Sequence, residues 1–245
     1  MNVTPISLAS ASWTDDWPTI LLASVAVVVA VVGPYLADWF RKLFVRPRIR
    51  VEFLREYGFW HRTVTKYSRD QQLLGEHPCY YFRFSVRNQG KALARSCEIV
   101  LDSIEAMNDG GNYEPLEGFW PTKLNFEGGT AETTGMDINP RRPQLFVDIG
   151  HICHPEAQTL YERSQCARID PTDPRLRFIL GLATKHFAKI DSLFPGRYRL
   201  HVVVVGENFH PVWKQIELYW SGNWRDTEEE MLGKEITLEM FPCER

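Results

Sequence analysis

An uncharged segment near the start of the chain, WPTILLASVAVVVAVVGPYLA from Trp17 to Ala37, is the feature that most constrains the fold. A helix rises about 1.5 Å per residue, so these 21 residues would span roughly 30 Å, one hydrocarbon core. A helix also satisfies its own backbone hydrogen bonds, which lipid cannot do. We therefore expect residues 17–40 to form a transmembrane helix, which Gly33-Pro34 bends or ends near its C-terminal side.

The charges on the two sides of this segment differ sharply. Residues 1–40 contain three aspartates and no Lys or Arg, whereas residues 41–50 contain Arg41, Lys42, Arg46, Arg48 and Arg50 and no acid. The positive-inside rule then places the C-terminal side in the cytoplasm. We expect a single-pass protein of the inner (cytoplasmic) membrane, with residues 1–16 as a short extracytoplasmic N-terminus. Residues 41–50 form a basic juxtamembrane segment attracted to the anionic lipid bilayer, and residues 51–245 form a cytoplasmic domain.

A cleaved signal peptide and a buried core helix both fit the apolar segment less well than a membrane anchor. A signal peptide has a basic start, a shorter apolar core and a cleavage site of small residues, whereas this start is acidic and the far flank is basic. A buried core helix is seldom so uniformly apolar. We keep both as alternatives to the membrane anchor.

The composition excludes several classes of protein. The chain has 245 residues, of which 44% are hydrophobic and 24% charged, as in a folded globular body and not a disordered one. The formal net charge is -3, which predicts no nucleic-acid partner. Five cysteines without a CxxC pair, namely Cys79, Cys97, Cys153, Cys166 and Cys243, indicate reduced thiols in a cytoplasmic domain.

The body after residue 47 has the alternating pattern of β-strands. Tyr80, Phe82, Phe84 and Val86 fall on one face of a strand, and Asn88-x-Gly90 follows as a turn in which the Asn side chain binds its own backbone. Further strands are predicted at Ile49–Leu54, 97–102, Arg142–Ile149, Arg175–Leu180, Arg197–Val205, Val212–Trp220 and 236–240. We expect a mainly β fold, a sandwich of seven or eight short strands. Long loops around one or two weak strands cover residues 103–142, and one or two short helices lie at Pro155–Cys166 and Lys185–Ser192.

Two stretches resemble CARDB-like, immunoglobulin-like β-sandwiches. The segment from Phe84 to Leu101 is similar to their strand, Asn-x-Gly, strand hairpin, and Pro195–Asn208 is similar to a strand near their C-termini. The chain as a whole resembles uncharacterised prokaryotic single-pass membrane proteins that carry such a sandwich. The resemblance implies an anchored immunoglobulin-like module, supplies no catalytic residues, and makes Tyr198 a corner tyrosine whose hydroxyl bonds an upstream backbone group.

Few residues point to catalysis or to a metal. His151, Cys153 and His154, with Asp148 upstream, could ligate zinc, but their spacing departs from that of zinc fingers, so we interpret them as loop residues after a strand. No G-x-S-x-G, P-loop or dinucleotide motif occurs. By alternation His201 is a solvated histidine, and His210, Glu228 and Glu229 fall in polar surroundings. We expect no metal, no cofactor and no catalytic site.

A binding surface is predicted at two places. Trp220 and Trp224, in the sequence Trp-Ser-Gly-Asn-Trp, could frame a platform for a peptide or a sugar, although core packing accounts for most tryptophans in sandwiches. Arg141 and Arg142 lie between prolines and could meet an anionic ligand or a lipid headgroup, with a solvated turn as the alternative.

Together these features favour a membrane-anchored, non-enzymatic interaction module whose cytoplasmic sandwich binds a protein partner. One alternative is a membrane effector or sensor, in which the sandwich binds a ligand and the transmembrane helices form a homo-oligomer through Ala26, Ala30 and Gly33. A further alternative is an enzyme with a site in residues 103–194.

Overall fold

The computed structural model describes residues 17–44, 46–54, 59–69, 72–126, 135–157, 176–183 and 190–243. The chain divides into two compact units, Met1–Arg46 and Pro47–Arg245. The first contains one helix, and the second contains the strands.

Helix α1 runs from Trp17 to Phe44, 28 residues that include Pro34. Its segment Leu21–Phe40 has a mean hydropathy of 2.0, and none of it is buried in the protein. The helix is therefore long and apolar enough to cross a membrane, and it lacks the burial of a core helix. The helix continues to Phe44 with Pro34 inside it, so Gly33-Pro34 does not end the helix.

The second unit is built from two antiparallel sheets. In chain order the strands within the described ranges are β1 (Ile49–Glu52), β2 (Trp60–Arg69), β3 (Gln72–Asn88), β4 (Ala94–Met107), β5 (Tyr113–Pro115), β6 (Thr122–Lys123), β7 (Met136–Ile138), β8 (Leu145–Cys153), β9 (Phe178–Leu180), β10 (Ser192–Leu193), β11 (Gly196–Val205), β12 (Val212–Trp220) and β13 (Ile236–Pro242). The first sheet has the order β1-β3-β8-β9-β10, and β2 also pairs with β3. The second has the order β13-β12-β11-β4-β5, and β6 and β7 also pair with β4.

One apolar core joins the inward faces of both sheets. Phe82 and Phe84 of the first sheet and Leu101, Val204 and Trp220 of the second belong to it, each at most 1% exposed. The predicted alternation is confirmed, because the core includes Tyr80, Phe82, Phe84 and Val86 of β3 and Cys97, Ile99 and Leu101 of β4. Burial of apolar surface, at about 25 cal/mol per Å², is the main force that holds the sheets together.

The structure has more strands than the pattern predicts. Strand β2 was not predicted from the sequence. Its sequence WHRTVTKYSR contains few apolar residues, so apolar and polar side chains do not alternate clearly along it. Residues 103–142 contain more than the one or two weak strands expected among loops, since β4 extends to Met107 and β5, β6 and β7 all pair along it. The two helices predicted after β8 fall mostly outside the described residues. Of the one predicted at Pro155–Cys166, only the part up to Ala157 is described. Of the one predicted at Lys185–Ser192, only residues 190–192 are described, and Ser192 begins β10.

Three consecutive glutamates, Glu228–Glu230, form a short helix before β13. Helix α2 (Glu228–Glu230) begins at Thr227, whose hydroxyl accepts a hydrogen bond from the backbone N–H of Glu230. A π-helical turn, Met231–Glu235, leads from there directly into β13. An N-cap hydroxyl and acidic residues in the first turn are the usual signature of a helix start, so this element was readable from the sequence.

Two side-chain contacts expected from the sequence are confirmed. The Asn88 Oδ1 atom accepts a hydrogen bond from the backbone N–H of Gly90 at 2.9 Å. The same side chain, 1% exposed, donates through Nδ2 to the carbonyls of Ala92 and Ile138. The Tyr198 hydroxyl donates to the Phe194 carbonyl, four residues upstream, at 3.0 Å.

Replacing Asn88 tests how much this turn stabilises the fold. Asn88→Ala leaves the buried Ile138 carbonyl and the partly buried Ala92 carbonyl without their donor, so we expect the free energy of unfolding to fall by about 2–4 kcal/mol. Asn112→Ala, at an exposed turn, should change it by less than about 0.5 kcal/mol. Urea unfolding of the full chain in mild detergent, followed by tryptophan fluorescence, measures both. Equal stability of the two variants would contradict the role of Asn88.

A buried carboxylate ties the ends of β12 and β13 together. Glu235, 4% exposed, accepts hydrogen bonds from the Ser221 hydroxyl, from Asn223 Nδ2 at 3.1 Å and from Arg225 Nε at 2.6 Å. The Ser221 bond is the largest cause of a lowered pKa of Glu235, and the bonds from Arg225 and Asn223 lower it further against the opposing effect of burial. The carboxylate is therefore held in its charged form.

This arrangement predicts a pH dependence of stability. A lowered pKa in the folded state stabilises the fold above the pKa of the unfolded side chain, and the gain disappears as the pH falls through the folded pKa. Between about pH 6 and about pH 3, the unfolding free energy of the natural protein should fall more steeply than that of Glu235→Gln. Urea titrations at several pH values measure the two slopes, and parallel curves would show that Glu235 is not the titrating group.

Candidate functional site

The outward face of the first sheet collects cysteine and histidine side chains from two paired strands. Cys79 of β3 lies opposite Cys153 of β8, and Tyr81 lies opposite His151. The ligand atoms of Cys79, Cys153 and His151 all lie within 4.8 Å of one another. We call these three residues the Cys-Cys-His cluster. It exists because alternate residues of a strand share one face, and the register brings both sets together.

The two thiols of the Cys-Cys-His cluster are close and buried. Their Sγ atoms are 3.9 Å apart, and the residues are 0% and 4% exposed. Ala157 and Ile179 pack against them in a small apolar cluster separate from the main core. Burial raises the pKa of Cys79 well above its ordinary value, and the neighbouring Cys153 raises it further. Without a metal this thiol is therefore protonated at neutral pH and a poor nucleophile.

Aromatic rings hold the imidazole of the cluster. His151 stacks on Tyr81 at a centroid distance of 4.9 Å, and His61 also stacks on Tyr81, at 5.7 Å. The nearby Thr65 side chain acts in the opposite direction to burial, since it lowers the pKa of both Cys79 and Tyr81. Burial raises the pKa of Tyr81 to about 12, so its ring stays neutral. These contacts fix the orientation of the ligand-type side chains before any ligand arrives.

A second group, His77, His154 and Glu156, lies beside the first. The two imidazoles stack at 5.9 Å, and the Nδ1 atom of each lies within 4 Å of the Glu156 carboxylate. His154 Nδ1 also accepts the backbone N–H of Glu156 at 3.3 Å. The Nδ1 lone pair of His154 is therefore occupied by a hydrogen bond and is not available to a metal ion. We interpret this group as two stacked imidazoles beside a carboxylate and not as a second set of metal ligands.

The residues proposed from the sequence are divided between these groups. His151 and Cys153 belong to the Cys-Cys-His cluster, whereas His154 lies in the second group and Asp148 forms an ion pair with Arg83 at 2.8 Å. The interpretation of His151 and Cys153 as loop residues after a strand is wrong, because β8 continues to Cys153. Cys79 was missed as their partner. Its alternation with His77 and Tyr81 in β3 was visible, but the pairing of β3 with β8 was not.

The two tryptophans do not form one platform. Trp220 is fully buried, and its indole Nε1 donates to the Leu176 carbonyl at 3.3 Å, so it is a core residue and not part of a binding surface. Trp224 is partly exposed and contacts the rings of Tyr80 and His154 at 4.9 and 5.1 Å. Only Trp224 is left as a surface residue of this pair.

Arg141 and Arg142 lie far from Trp224. They occupy an exposed turn before β8, in which the Asn139 side chain accepts the backbone N–H of Arg141. Trp224 contacts His154, just after the far end of β8. A strand of nine residues is roughly 30 Å long, so the arginines and the tryptophan cannot share one small ligand.

The remaining titratable candidates lie away from the Cys-Cys-His cluster. His201 is 5% exposed, and the expectation of a solvated histidine is wrong. Its Nε2 lies 3.5 Å from Glu105 Oε1 and its Nδ1 3.8 Å from Cys243 Sγ, so side chains of β4 and of the residue after β13 cover it. His210 is exposed in the β11–β12 turn, Glu229 is exposed on α2, and Glu228 accepts the backbone N–H of Arg62 at 3.2 Å.

An open apolar groove lies beside β13, the edge strand of the second sheet. It encloses about 280 Å³. Its wall includes Phe53 and Trp60 on one side and Leu232, Ile236 and Leu238 on the other. Gly233 also borders it, and an added Cβ atom at this position would meet no atom within 4 Å.

No family model, no curated protein and no solved structure matches this chain. The function therefore has to be inferred from the chain's own residues.

The separate positions of the two tryptophans predict different effects of their removal. Trp220→Ala empties a fully buried site and should lower the free energy of unfolding by about 3–5 kcal/mol. Trp224→Ala removes a partly exposed ring and should cost well under half as much. Urea unfolding of the full chain measures both, and a larger loss at Trp224 would contradict the assignment of Trp220 to the core.

Proposed function

We propose that the protein is a membrane-anchored, non-enzymatic interaction module whose β unit binds a protein partner on the cytoplasmic side. The observation that carries the proposal is the uncovered apolar helix Leu21–Phe40, followed by five basic residues and then a separate compact β unit. The basic flank supports an orientation with the β unit in the cytoplasm and the N-terminus outside.

The finer fold class is part of the same proposal. We infer that the two sheets form an immunoglobulin-like sandwich. The corner hydrogen bond of Tyr198 and the Asn88 turn support it, and both are features that such domains use. Immunoglobulin-like sandwiches commonly serve as binding modules, and fold alone names no partner.

The groove beside β13 is the place proposed for the partner. Within the described residues β13 pairs with β12 on one side only, so the backbone of its unpaired side borders the groove. An extended segment of another protein could add to this edge by main-chain hydrogen bonds, with its apolar side chains against Trp60 and Leu232. The groove would therefore accept a short extended peptide that has apolar residues at alternate positions.

Filling the groove tests this place directly. The Cβ atom of Gly233→Phe would have no atom within 4 Å, so we expect the ring to enter the groove and partner binding to be lost while the urea midpoint stays unchanged. A photo-crosslinking residue at Thr237 should give one defined adduct in native membranes, and the same residue at His210, exposed at the far end of β12, should give none. Adducts at both positions or at neither would contradict the groove, as would an undiminished Thr237 adduct in the Gly233→Phe protein.

A membrane sensor is the second candidate, and one observation favours it. The Cys-Cys-His cluster is a preformed set of ligand-type atoms that a structural core does not need. In this alternative the β unit binds a small ligand, and helix contacts through Ala26, Ala30 and Gly33 transmit the signal. Those helix contacts are a prediction from spacing alone.

A further inference from the structure

We propose that the Cys-Cys-His cluster is a Zn²⁺ site with Cys79, Cys153 and His151 as its three protein ligands. The inference goes beyond the interaction module, since it concerns a different face of the β unit from the groove. It rests on the distances between the ligand atoms, on their position on two paired strands and on the side chains that surround them.

The distance between the thiols fits a shared zinc ion better than a disulfide. Zinc binds thiolates at about 2.3 Å, and tetrahedral geometry then places two sulfurs about 3.8 Å apart. The observed Sγ–Sγ distance is 3.9 Å. A disulfide needs about 2.05 Å, so the two sulfurs are not bonded to each other at the observed distance.

The third ligand completes a donor set that zinc prefers. The ring nitrogen of His151 lies within 4.8 Å of both sulfurs, close enough for one ion to contact all three atoms after small side-chain rotations. Two thiolates and one imidazole suit zinc, whereas calcium and magnesium require oxygen ligands. Within the part of the chain that the structure describes the group has three members, so water can occupy the fourth position.

The surroundings act as outer contacts that orient the ligands. Tyr81 stacks on the His151 ring at a centroid distance of 4.9 Å and so holds the plane of the imidazole. Ala157 and Ile179 cover the sulfurs with apolar surface, which strengthens metal–thiolate attraction by excluding water. All three ligands lie on strands inside a sheet, so binding costs little ordering of the backbone.

Cobalt substitution of the full-length, reduced protein in detergent tests the site. Co²⁺ should bind with one ion per chain and should give the thiolate charge-transfer band and the intense visible bands of tetrahedral cobalt. Zn²⁺ should displace it and raise the melting temperature. Cobalt bound without the thiolate band, no stoichiometric binding, or a Cys79–Cys153 disulfide in protein isolated under reducing conditions would overturn the proposal.

Variants assign the ligands. Cys79→Ser, Cys153→Ser and His151→Gln should each weaken zinc binding by at least about tenfold, measured by competition with a chromophoric chelator. His151 is only partly buried, so His151→Gln remains informative if a cysteine variant does not fold. Cys97→Ser, a buried thiol on β4, and His154→Gln are the matched controls and should bind zinc normally. Undiminished affinity in His151→Gln, or an equal loss in either control, would contradict this ligand set.

Discussion

The exposed apolar surface of α1 has to be buried by something outside the protein. Between Leu21 and Phe40 the described helix is apolar and uncovered, and in water it would carry a large hydrophobic penalty. In the proposed arrangement lipid removes that penalty, and the basic flank favours the orientation with the β unit in the cytoplasm. The proposed location of the β unit in a reducing cytoplasm follows from this, as does the expectation that its cysteines remain thiols that can bind a metal.

Strand periodicity predicted the elements whose side chains divide cleanly between core and solvent. β12 was located from the alternation of Ile216 and Leu218 with Glu217, and the second half of β3 from the alternation of Phe82 and Phe84 with Arg83. Elements whose stability comes from neighbours were not predictable in this way. β2 is polar and half exposed, and its pairing with β3 from Trp60 to Arg69 holds it in place. No local sequence pattern encodes that pairing.

The candidate site shows the same limit more clearly. His151 and Cys153 were visible as ligand-type residues, but Cys79 is 74 positions away from Cys153 in the chain and meets them only because β3 pairs with β8. Trp220 and Trp224 are close in sequence, although the first ends a core strand and the second lies after it. His201 is covered by Glu105 and Cys243, which come from β4 and the end of β13. Sequence distance is a poor guide to such contacts.

The central claim is that lipid surrounds α1 and that the β unit lies inside the cell, and one fractionation experiment tests it most directly. The full chain, tagged at its C-terminus, is expressed in cells and challenged with external protease before membranes are washed in alkaline carbonate. We expect the tag to survive in intact cells, to be removed only after the membrane is opened, and to stay with the membranes through the wash. Release of the protein by carbonate, or loss of the tag in intact cells, would contradict the claim.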